Sequence, residues 1–138
     1  MRLLLDTNPC IRLINATHKD THQRFVTALS QGAEIFLSSL VVYELWYGVA
    51  KSHPSRREKN AERLRNFLAG PFTSLEFTAE DALVAGEIRA NLEAVGTPIG
   101  AYDLLLAGQA LRGDLTIITA NASEFSRVKG LQWESWEI

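Results

Sequence analysis

Residues 1–10 read MRLLLDTNPC, three leucines running straight into an aspartate. A strand half-exposed to water alternates apolar and polar residues, whereas a strand covered on both faces is apolar throughout. Leu3–Leu5 is of the second kind. Asn8 is a candidate helix cap and Pro9 suits a first helical position, so a helix is expected at once. The same alternation continues down the chain. Strand-like runs stand at EIFLSS (34–39), SLEFT (74–78), LTIIT (115–119) and LQWESW (131–136). Between them lie helical stretches over 17–32, with Thr17 as cap, 40–52, with Ser39 as cap, and 55–70. Two more follow over 79–96, opened by a Thr78–Asp81 capping box, and 101–113. Strands alternating with helices predict an open α/β domain with a parallel sheet covered on both faces. Ligands of such folds gather outside the carboxyl ends of the central strands. Asp6 and Thr119 both fall there.

The chain has 138 residues, the length of one domain, 1–138. With 46% hydrophobic and 22% charged residues it is too apolar to be disordered. Cys10 is the single cysteine, so no intrachain disulfide forms, which fits a reducing compartment. The apolar run at the N-terminus is too short for a secretion signal, and residues 37–50 carry Glu44 and fall short of a membrane span. A soluble, cytoplasmic protein is expected. The formal charge is −2, which excludes an overtly basic nucleic-acid binder. Residues 51–65 nonetheless hold six Lys/Arg against two Glu, either a solvated helix face or a local polyanion contact.

Four carboxylates stand just past a strand end or in the first turns of a helix: Asp6, Glu44, Asp103 and Glu124. Each has an ordinary explanation. Asp6 suits a turn or cap, Asp103 suits a helix dipole, and Glu124 completes a box with Asn121. Glu44, set among Val41, Val42, Leu45 and Trp46, must point outward or be paired, because burying a lone charge is costly. Their shared placement at one sheet edge is the stronger signal. Two carboxylates about 4 Å apart repel by roughly 4 kcal/mol at an effective dielectric of 20, so a converging set calls for a cation. All-oxygen ligands favour Mg²⁺ or Mn²⁺.

Four blocks, in order, carry a resemblance: LLLDTN (3–8), SSLVVYELWYGVAKS (38–52), GTPIGAYDLLLAGQAL (96–111) and TANASEFSRVKGLQWESW (119–136). Nearly end to end, the chain resembles PIN-domain ribonucleases of the VapC toxin type. The resemblance implies a PIN-like α/β/α sandwich with a parallel sheet of four to five strands, in an order near 3-2-1-4-5. It implies an endoribonuclease that uses Mg²⁺ or Mn²⁺ to cleave RNA, such as tRNA, to a 5′-phosphate and a 3′-hydroxyl. It also implies a cognate VapB-type antitoxin, a homodimer and a larger toxin–antitoxin assembly. Carried over by position, Asp6, Glu44, Asp103 and Glu124 are the acidic, metal-holding residues. Asn8, Thr119 and Asn121 are the groups that orient them. The family's paired asparagines after the strand threonine are here Ala120 and Asn121, so one supporting hydrogen bond is in question.

Other features weigh less. Arg12, Lys51, Arg56 and Arg57 are candidates for the RNA backbone, without an aromatic pattern to single them out. Tyr43, Trp46 and Tyr47 suit either core packing or a contact with an antitoxin or a second copy. His18 and His22 have a zinc-like i, i+4 spacing but no third ligand, and Cys10 reads as core filler. An Asp-based phosphotransferase of the haloacid-dehalogenase kind would want an aspartate where Asn8 stands, and no glycine-rich phosphate loop is present. The competing functions are a PIN-like module that binds RNA or protein without cutting, and a DNA-directed nuclease.

Overall fold

The computed structural model describes residues 1–137. Five strands form one parallel sheet: β1 (Arg2–Leu5), β2 (Glu34–Ser38), β3 (Thr73–Leu75), β4 (Thr116–Ile118) and β5 (Gln132–Glu134), in the order β3-β2-β1-β4-β5. The fold is the expected one, with all five strands present. β1 lies at the centre, pairing Leu3 with Ile35 of β2 and with Thr116 of β4. Leu3, Leu4 and Leu5 are buried, as a strand covered on both faces must be.

Seven helices cover the sheet: α1 (Thr7–Asn15), α2 (Lys19–Ser30), α3 (Ser39–Ala50), α4 (Pro54–Leu68), α5 (Ala79–Ala94), α6 (Ala101–Gly113) and α7 (Ala122–Phe125). For this strand order the right-handed crossover rule puts α1–α4 on one face and α5–α7 on the other. Packing follows this division: α1 lies against α2, α3 and α4, and α6 against α5 and α7. Among the described residues, no helix is long and apolar enough to cross a membrane.

Several caps sit one or two residues from their expected places. Asp6, not Asn8, caps α1, its side chain accepting from the Thr7 N–H at 2.8 Å. Pro9 is tolerated in the third helical position because first-turn N–H groups have no intrahelical partner. His18, not Thr17, caps α2 through Nδ1, so His18 precedes the helix that carries His22. Ser38, not Ser39, caps α3. The Thr78–Asp81 capping box is present as expected. Of the three aromatics on α3, Tyr43 and Tyr47 are exposed, while Trp46 packs on the core beneath the Arg65 guanidinium.

α5 and α6 run antiparallel in close contact. Asp81 at the start of α5 is buried and accepts from Arg112 Nε, near the end of α6, at 2.5 Å. Gly108 allows the approach. A Cβ placed there would lie 2.9 Å from the Asp81 carbonyl oxygen and 2.8 Å from the Ala85 Cβ. Gly108→Ala is therefore expected to lower stability by about 1–3 kcal/mol in urea titrations, despite the better helix propensity of alanine. An unchanged or raised midpoint would contradict this packing.

Candidate active site

The carboxyl ends of β1 and β4 bring three of the four expected carboxylates into one hydrogen-bonded network. Asp6 follows β1, and its backbone N–H extends the strand pairing to the Ile118 carbonyl at 2.8 Å. Its side chain is 6% exposed. One carboxylate oxygen accepts from the Thr7 N–H, and the other from the buried Thr119 hydroxyl at 2.8 Å. Thr119 Oγ1 in turn accepts from the Asn121 N–H at 2.8 Å. The Asn121 side-chain amide then donates to Asp103 Oδ2 at 2.9 Å and to Glu124 Oε2 at 2.7 Å. The chain Asp6–Thr119–Asn121 thus continues to both Asp103 and Glu124. Ala120 is exposed, and Asn121 bridges the two acids.

Asn121 therefore does something other than cap α7. It makes no side-chain cap bond, and Glu124 answers its amide instead of forming a capping box. Asn8 departs from expectation in another way. It is exposed in the first turn of α1, and among the described residues it makes no side-chain hydrogen bond to the acids. Its neighbour Thr7 is the residue that bonds Asp6, through its N–H, and the Thr7 hydroxyl lies 2.9 Å from the Tyr102 hydroxyl. Neither Thr7 nor Tyr102 was marked by the sequence, because each looks like an ordinary first-turn residue beside an acid.

Glu44 stands apart from the hydrogen-bonded set. Its charge reaches Asp6, but its side chain lines an apolar groove of about 230 Å³ between α1, α3 and α4, with Ile11, Ile14, Leu45 and Leu64. Among the described residues, no three Asp, Glu, His or Cys side chains close on one point tightly enough to hold an ion by themselves.

The electrostatics are those of an anionic site in which, among the described residues, no Lys or Arg is ion-paired with Asp6 or Asp103 and only the more distant Arg127 acts on Glu124. Burial pushes the Asp6 carboxyl up, and Glu44 adds to this, while bonds from Thr119 and Thr7 oppose it. Asp103 is pushed up to about 7, first by burial and then by its contact with Glu124 and the charge of Asp6. Glu124 is held below the usual carboxylate range by that same contact with Asp103 and by the Asn121 amide. The two acids titrate as a pair, one pushed up and the other held down by the same contact, a division of labour typical of paired acids. The donor set fits a hard divalent ion. It is all oxygen, and each bonded carboxylate oxygen keeps a lone pair. Mg²⁺ itself takes few protein ligands and retains water and substrate oxygens.

The basic candidates are mostly engaged. Arg12 is ion-paired with Glu137, the Lys51 ammonium lies 4.9 Å from the Tyr47 ring centroid, and Arg57 donates to the Ser52 carbonyl. Arg56 lines an open depression with His53 and Asn60. Cys10 is fully buried, and burial pushes its thiol up, so it is filler and no nucleophile.

A parallel 3-2-1-4-5 sheet with linked acids at its carboxyl edge defines the class of protein. The family model described as PIN domain matches residues 3–131, and the chain belongs to the PIN-domain family. Within it, the chain is 37% identical over 137 residues to Ribonuclease VapC2 of Rickettsia felis, covering 99% of both chains. It is 34% identical over 136 residues to the tRNA(fMet)-specific endonuclease VapC of Salmonella typhimurium, covering 99% of this chain and 98% of the relative. The crystal structure of VapBC2 from Rickettsia felis bound to a DNA fragment from its promoter contains a chain of the same fold. That chain has a TM-score of 0.89 and 34% identity, with 99% of each chain covered.

The raised Asp103 carboxyl sets a pH dependence in metal-free protein. A proton held more tightly in the folded state than in the unfolded chain means that stability falls as pH rises from about 4 through about 7. Asp103→Asn lacks this loss. In chelator at pH 8 the variant is expected to be more stable than wild type by on the order of 1 kcal/mol, after allowance for solvent screening, with no difference at pH 4. Urea midpoints at the two pH values check this, and a variant destabilised equally at both would contradict it.

Proposed function

We propose that this chain is the toxin of a type II toxin–antitoxin pair, a cytoplasmic endoribonuclease that hydrolyses RNA with the help of Mg²⁺ or Mn²⁺. The observation that carries this reading is the Asp6–Thr119–Asn121 network with its two branches to Asp103 and Glu124. Asp6 and Asp103 are the residues that would hold the ion, with Glu124 beside them and Glu44 acting from α3. Bound there, a divalent ion offsets the phosphate charge and activates water.

The remaining roles fall to the chain itself. Thr119 keeps Asp6 aimed into the cleft while leaving lone pairs open. Asn121 holds Asp103 and Glu124 together, so a proton taken from the attacking water has a shared acceptor. The substrate is a structured RNA, with tRNA the leading class because the Salmonella relative is named for it. Arg56, which lines the open depression with His53 and Asn60, is the basic candidate we assign to its backbone.

The partner is a VapB-type antitoxin, as in the VapBC structures, and a homodimer within a larger assembly fits the same reading. The groove beside Glu44 suits an apolar side chain of that partner, from which a basic group could reach the acids.

The reading is tested with antitoxin-free protein and total cellular RNA, mapping new 5′ ends with Mg²⁺, with Mn²⁺ and with chelator. Discrete cuts that require metal are expected. Asp6→Asn should reduce them by about 100-fold or more, and Thr119→Val, which removes the bond to Asp6 together with the acceptor of the Asn121 N–H, by about 10–100-fold. Metal-binding protein that cuts no RNA would instead favour the non-cleaving or DNA-directed readings.

A further inference from the structure

Asp6 and Asp103 belong to different layers of the molecule. Asp6 leads into α1, which packs on α2, α3 and α4, whereas Asp103 lies on α6, which packs on α5 and α7. Their spacing therefore depends on what crosses between the layers at the sheet edge. One crossing runs through Thr119 and Asn121. The second runs through Thr7 and Tyr102. Thr7 immediately follows Asp6 and donates its N–H to Asp6 Oδ1, and Tyr102 immediately precedes Asp103. The Thr7 and Tyr102 hydroxyls meet at 2.9 Å. The links form a closed loop: Asp6, Thr119, Asn121, Asp103, Tyr102, Thr7 and back to Asp6.

We propose that Thr7 and Tyr102 are positioning residues, whose hydroxyl–hydroxyl bond ties α1 to α6 and sets the spacing of Asp6 and Asp103 for a divalent ion. The proposal rests on the reading of those two acids as the groups that hold the ion. The location of the bond supports it. Both residues are half-buried, and the negative fields of Asp6 and Glu44 both reach the Tyr102 hydroxyl, placing it at the cleft. Burial of the phenol also keeps it protonated, and hence able to donate, at any physiological pH. Outer groups of this kind commonly change metal affinity by about 10–100-fold when removed.

The test is Mn²⁺ binding by the full chain, measured by calorimetry, alongside circular dichroism and the unfolding temperature of the metal-free protein. Tyr102→Phe and Thr7→Val each remove one end of the bond and keep the side-chain shape. Each is expected to weaken Mn²⁺ binding about 10-fold while the protein remains folded. The double variant should bind no more weakly than the weaker single, since both changes delete the same bond. Thr7→Ser, which keeps the hydroxyl, should bind as wild type does. Unchanged Mn²⁺ affinity in the folded single variants would overturn the proposal, as would a double variant whose loss is the product of the two. Wild-type protein that fails to bind Mn²⁺ would overturn the metal reading itself, and the proposal with it.

Discussion

Asp6 is a carboxylate placed where the fold makes charge expensive, at the end of the central strand with helices on both sides. Its two hydrogen bonds come from a backbone N–H and a hydroxyl, both neutral, and among the described residues no cation pairs with it. Two neutral donors only partly replace the water that a buried carboxylate loses. The rest of the site follows from this deficit. Asp103, pushed up first by burial and by its contact with Glu124, also feels the charge of Asp6.

Asp81 shows how the same molecule treats a carboxylate whose task is structural. It is as deeply buried as Asp6, and burial likewise pushes it up. The Arg112 guanidinium and the N–H and hydroxyl of Thr78, however, bring it below the usual range. That pair joins α5 to α6 and leaves no charge uncompensated. Asp6 and Asp103 at the sheet edge are organised in the opposite way, held in place by neutral donors with no ion pair among the described residues. A cation from solution would complete a site so arranged, and would also let an anionic RNA approach an acidic cleft.

Much of this was legible in the sequence because it depends on short-range patterns. Leu3–Leu5 and the β-branched run around Ile117 and Ile118 could only be buried strands, and α6 runs over 101–113 as its apolar pattern predicts. The sheet-edge location of Asp6, Asp103 and Glu124 followed from strand ends and first helical turns. Caps were less legible. Asp6 and Asn8, or Ser38 and Ser39, offer the same local chemistry, and long-range pairing decides between them. Thus the Asp6 N–H is held by Ile118, 112 positions away. Asn121 was expected at the site, but its bridge to two acids depends on how α7 meets α6. The Thr7–Tyr102 bond spans 95 positions and two helix layers, and no local pattern signals it. Glu44 was expected to join the cluster; a helical position does not reveal that its side chain also borders a groove.

The most direct test of an acid site awaiting its cation is to count the protons that the cation displaces. Mn²⁺ titrations at pH 6.5, run calorimetrically in buffers of different ionisation enthalpy, report that number. The account predicts release of about one proton per ion bound, from the pair Asp103 and Glu124, because ligating carboxylates must be deprotonated. Binding with no proton release, or no Mn²⁺ binding by folded protein, would contradict it.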